Sequence, residues 1–103
     1  MYVVFIIKPD GSLTRTFQKN KPDYKQQSAA VGGFIETIPY FTKMEHGGTL
    51  YSRGTAYANE EGVLKGLPMN PRAMDLWRES CPKGDPSRMH LHGDVIFFAK
   101  VKE

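Results

Sequence analysis

The sequence predicts an α+β domain: a curved, mostly antiparallel sheet of about five strands with two short helices on one face. Three observations predict it. Two runs near the chain ends, Tyr2 to Ile7 and Val95 to Ala99, are continuously apolar, β-branched and aromatic, the pattern of strands buried on both faces. Ten Gly and seven Pro divide the chain into short elements joined by turns. Asn70-Pro71 opens a stretch whose apolar residues recur at helical spacing. The 103 residues, 40% of them hydrophobic, are enough for one domain and too few for two.

The elements follow in order. Tyr2 to Ile7 stops at Lys8-Pro9-Asp10-Gly11, where Asp-Gly supplies the positive φ of a tight reversal, so a hairpin is expected. Leu13, Arg15 and Phe17 alternate with Thr14, Thr16 and Gln18, a second strand with one buried face. Asn20-Lys21-Pro22-Asp23 breaks it and starts a two-turn helix over Tyr24 to Val31, ended by Gly32. Phe34 to Tyr40 reads as a strand closed by Pro39, and Gly47-Gly48 as a reversal. Thr49 to Ala58 reads as one strand interrupted or bulged at Gly54. Asn59-Glu60-Glu61-Gly62 is a polar turn, and Val63 to Pro68 an irregular or edge segment. Asn70 caps and Pro71 begins a helix through Ser80 with Ala73, Met74, Leu76 and Trp77 on its apolar face. Cys81 to Pro86 makes a loop, and the last strand falls within His90 to Val101.

Both terminal strands demand cover above and below. With both helices on one face, the other face is left to curling of the sheet toward a small barrel, to the Pro/Gly-rich loops, or to a partner chain such as a homodimer mate.

Fourteen Lys and Arg against eleven Asp and Glu give a net charge of +3, without the basic stripe of a dedicated nucleic-acid binder. Lys19, Lys21 and Lys25 are the densest group, with Lys100 and Lys102 at the end. The lone Cys81 excludes an internal disulfide and points to a reducing compartment. The six-residue run Tyr2 to Ile7 falls far short of the ~18 residues needed to span a bilayer, so a cytoplasmic, membrane-free protein is expected.

Three segments carry a resemblance: Val31-Gly32-Gly33-Phe34-Ile35-Glu36-Thr37-Ile38-Pro39, then Ala58 to Ala73 with its Asn-Glu-Glu-Gly and Leu-Pro-Met-Asn-Pro elements, then His92-Gly93-Asp94-Val95-Ile96-Phe97. In order and spacing they resemble the domain-of-unknown-function family numbered 3846, small proteins of phages, plasmids and mobile elements. The resemblance spans about two-thirds of the chain, from near Ser28 to near Ala99. It implies a viral or mobile-element setting, the host cytoplasm, and a role in managing the host. The chain departs from the family pattern in an insertion, Phe41 to Gly48, and a longer loop, Lys83 to Met89. Loops peculiar to one chain are where a specific partner binds.

Candidate chemistry is sparse. His90-x-His92-x-Asp94 alternates like ligands on one strand face, but zinc needs three or four groups converging at ~2.0–2.3 Å, so these are weak metal candidates. Asn59, Glu60, Glu61 and Asp94 offer acid–base groups, although the first three read more simply as a solvated turn. Glu36 lies in an apolar strand, where a buried carboxylate needs a partner such as Arg15, Arg53 or Arg72. Cys81, at a helix C-terminus, is a poor nucleophile. Tyr40, Phe41, Tyr51, Tyr57 and Trp77 with Arg53, Arg72 and Lys65 are the residue types of a stacking pocket for a base or nucleotide; core packing is the competing reading.

The sequence therefore favours a non-enzymatic accessory protein that binds a host protein or sequesters a small host-derived molecule, without cofactor. The expected binding residues are Tyr40, Phe41, His46, Tyr51 and Arg53 around the insertion, then Arg72 and Trp77. The alternatives are a nucleic-acid or nucleotide binding module and a small metal-dependent hydrolase using His90, His92 and Asp94.

Overall fold

The computed structural model describes residues 1–81 and 90–101. The expected loop Lys83 to Met89 and the terminal Lys102 lie outside the described residues.

Strand β1 (Tyr2–Ile7) pairs antiparallel with β2 (Leu13–Gln18), Ile7 opposite Leu13 and Tyr2 opposite Gln18. The Asp10 carboxylate accepts the Ser12 N–H at 2.8 Å and Gly11 takes φ 89°, so the Asp-Gly pair turns the chain as its residue types dictate. Hydrogen bonds from the Ser12 hydroxyl and amide hold the Asp10 carboxyl below its ordinary pKa.

Helix α1 (Tyr24–Val31) is capped by the Asp23 side chain, which accepts the Gln26 N–H, and closed by Gly32 at φ 77°. Strand β3 (Ile35–Thr37) follows, then the hairpin β4 (Met44–His46) and β5 (Thr49–Tyr51), then β6 (Thr55–Asn59). Helix α2 (Pro71–Ser80) starts where Asn70 accepts the Ala73 N–H, and β7 (Val95–Lys100) ends the fold. The main sheet is antiparallel throughout, in the order β2-β1-β7-β6-β3, with β4 and β5 forming a separate two-stranded sheet.

β1 and β7 occupy central positions, as their two-sided apolar pattern requires. The cover arrives differently from the sequence expectation. Val3, Phe5, Ile7, Val95, Phe97 and Ala99 pack against Ala73 and Trp77 of α2 and Met44 and Tyr51 of the hairpin. Val4, Ile96 and Phe98 face the opposite way, onto Val31 of α1. The two helices thus flank the sheet, one on each face, where both were expected on one. Among the described residues the sheet is also open, with β2 and β3 at its edges, so its faces are covered by the helices and the hairpin and not by curling into a barrel.

Two strand expectations change. Thr49 to Ala58 is not one bulged strand, because Arg53 at φ 57° turns the chain out of the small sheet before β6 joins the large one. β2 has no well-buried face: Leu13 and Gln18 are half-buried and Thr14 through Phe17 exposed, since the strand lies outermost and only Leu13 reaches the α2-side core. No helix among the described residues is long and apolar enough to cross a membrane.

Candidate functional site

The insertion residues serve the core first. Phe41 is fully buried against Phe97, with ring centroids 5.5 Å apart. Tyr51 and His46 both pack edge-on against Phe5, at 5.2 and 5.4 Å. Tyr51 also accepts from the Arg15 guanidinium at 3.4 Å. Tyr40 and Arg53 are exposed, and both hold positive φ as connectors. Arg72 donates to the Gly11 carbonyl at 2.6 Å and so ties α2 to the β1–β2 turn. Tyr57 lies on the other face of the sheet, against Phe98. These residues therefore do not converge on a stacking pocket.

A concave site lies elsewhere, at the β3 edge of the α2 face. It is a cleft of about 340 Å³ lined by Glu36, Ile38 and Pro39 from β3 and its exit, Asn59, Glu60 and Val63 from the end of β6 and the turn after it, Trp77 from α2, and His90, Leu91 and His92 before β7. The three segments that carry the resemblance are thereby brought together, although up to 56 residues separate Glu36 from His92 in sequence. Trp77 spans its base: the indole Nε1–H donates to the Pro39 carbonyl at 2.6 Å and fixes the β3 exit against α2. Ser80 reinforces this, donating to the Tyr40 carbonyl at 2.7 Å and accepting the Thr42 and Lys43 N–H groups.

The turn wall is equally fixed. Buried Asn59 donates to the Val31 carbonyl and accepts the Glu61 N–H at 2.8 Å, while Glu60 N–H bonds the Phe34 carbonyl. The absence of a side chain at Gly62 lets the turn approach His92, where an added Cβ would lie 3.2 Å from both the His92 Cβ and its carbonyl oxygen. His92 Nδ1 lies 2.9 Å from the Leu67 carbonyl. A carbonyl oxygen only accepts, so Nδ1 carries a proton and donates, which fixes the ring with Nε2 as its free edge.

The electrostatic character follows from this list. Glu36 is exposed here, so it needs no buried arginine partner, and it contributes a carboxylate beside that of Glu60. No Lys or Arg is among the described lining residues. In a chain of net charge +3 the cleft is an acceptor-rich, anionic spot over an apolar base of Ile38, Trp77 and Leu91.

His90 and His92 line this cleft with ring centroids 6.4 Å apart, whereas Asp94 lines a separate depression beside Lys8 and Asp10. No three His, Cys, Asp or Glu side chains converge for a metal among the described residues. Sequence reasoning grouped His90 and His92 with Asp94, grouped Glu60 with Asn59, Glu61 and Asp94, and took Glu36 alone; the signal that unites Glu36, Glu60, His90 and His92 is the chain topology, which local patterns do not carry. Compared with protein-family models, curated proteins and solved structures, the chain matches none.

Proposed function

We propose that this chain is a non-enzymatic binding module of the phage or mobile-element kind that the resemblance implies, with the β3-edge cleft as its binding site. Its occupant is a cationic, donor-rich group on an apolar stem, an amine or guanidine presented by a host protein or a small host molecule. The observation that supports this reading is the convergence of the three resemblance segments on one cleft whose charged lining residues are both carboxylates. The carboxylates of Glu36 and Glu60 suit a donor and repel phosphate, so the cleft disfavours a nucleotide.

A panel of small alkylamines and guanidines, with matched carboxylates and phosphates, tests the reading by amide chemical shifts. The cationic members are expected to move the amides of Glu36, Ile38, Glu60, Val63 and His92. Replacing Glu36→Gln together with Glu60→Gln should weaken them about tenfold, or about 1.4 kcal/mol. Anions binding equally well, or responses confined to the Tyr40–Arg53 side, would overturn it.

A further inference from the structure

The β2 edge has a property the cleft does not use. Lys8 N–H bonds the Ser12 carbonyl at 2.9 Å, and this fixes the alternation along the hairpin. Thr14, Thr16 and Gln18 direct their backbone groups to β1, while Leu13, Arg15 and Phe17 direct theirs to the open edge. The strand is six residues long, paired without a bulge, free of Pro, and exposed from Thr14 through Phe17. Phe17 is 51% exposed with the Arg15 guanidinium 5.4 Å over its ring. Proteins normally guard such an edge by shortening it, bending it or placing Pro on it. The opposite edge is guarded in that way: β3 has three residues and runs into Pro39.

We propose that β2 pairs antiparallel with β2 of a second copy of this chain, about a two-fold axis perpendicular to the sheet. The main sheets then join edge to edge. Charge selects the register. A centre at Arg15 sets two guanidiniums opposite each other, and a centre at Phe17 sets Arg15 opposite Lys19. Centres nearer either end pair fewer residues.

A centre at Thr16 sets Arg15 opposite Phe17 of the second copy, repeating between chains the cation–π contact already present within one. The residues whose backbone groups face outward then meet each other: Arg15 and Phe17 exchange both N–H···O bonds on each side of the axis. On the other face Thr16 meets Thr16, a favourable cross-strand pair, and Thr14 meets Gln18. The surface is separate from the cleft and stands whether or not the cleft binds cations.

Light scattering on the eluting full chain should give twice the 11.6 kDa chain mass at high concentration and a fall toward it on dilution. A strict monomer at millimolar concentration, or open-ended assembly, overturns the proposal. Thr16→Lys places two ammonium groups at the axis on a side chain exposed in the monomer. It should give a monomer with unchanged circular dichroism, and a persisting dimer would place the interface elsewhere.

Register is read by oxidation in a Cys81→Ser background. Residues at position 16 form a non-hydrogen-bonded pair with Cα atoms about 4.5 Å apart, within disulfide reach, so Thr16→Cys should cross-link. Thr14→Cys should not, because the two copies of position 14 lie four residues apart along the strands, about 13 Å. Equal cross-linking of both variants overturns the register.

Discussion

Asn70 shows how one side chain can close a local signal and a global one together. It is fully buried, and its oxygen caps α2 by accepting the Ala73 N–H at 3.1 Å. Its two amide hydrogens go to the carbonyls of Ile7, at 2.8 Å, and Gly93, at 2.9 Å. The cap is legible in the sequence as Asn-Pro before an apolar helical face; the other two bonds are not, because Ile7 is 63 residues away. Asn70→Ala loses the cap and takes one donor from each of two buried carbonyls, so denaturant unfolding should show a loss of roughly 2–4 kcal/mol. Asn70→Asp keeps the cap acceptor but aims a carboxylate at two carbonyls, and should lose at least as much. If Asp proved as stable as Asn, the two carbonyl bonds would carry no weight. The same limit explains the aromatic residues: Phe41, Tyr51 and Tyr40 are alike in residue type, and only tertiary placement buries two and exposes one.

At the scale of elements, both helices, the first hairpin and the central strands were readable because caps, turn residues and apolar runs are local. The path from β5 to β6 was not. Gly54 reads as a bulge in a continuous strand, but it stands where the chain leaves the small sheet and passes under the core. Its N–H donates to the Thr42 carbonyl at 2.7 Å, and an added Cβ would overlap the Phe97 ring. The glycine is needed for close approach to an aromatic from a strand more than 40 residues later. Gly54→Ala should therefore cost about 1–3 kcal/mol by overpacking. In a double-mutant cycle with Phe97→Leu, the two losses should sum to less than independent effects, because the smaller side chain makes room for the methyl. Strict additivity would mean that Gly54 is required by its backbone and not by Phe97. The cleft was illegible for a related reason: it joins β3, the turn after β6 and the approach to β7, neighbours in the sheet but distant in the chain.

At the scale of the whole molecule, the demand for cover on both faces was legible, but its allocation was not. Apolar periodicity says which face of a helix is buried without saying which face of the sheet receives it. With α1 on one side and α2 plus the β4–β5 hairpin on the other, stability should peak along β1 and β7 and fall toward both edges. Hydrogen exchange should resolve this residue by residue. Amides of β1 and β7 should open only with global unfolding. Along β2, Thr14 and Thr16, which donate to β1, should be protected at any protein concentration. Arg15 and Phe17, whose amides face the open edge, should exchange rapidly in dilute solution and slow as concentration rises, because the second copy supplies their acceptors. At the other edge Glu36 should be protected by β6, while Ile35 and Thr37 should stay fast at every concentration. Protection that rose along Ile35 and Thr37 instead would move the association surface to the cleft edge. Concentration-independent exchange at all four positions would leave the molecule a monomer with two free edges.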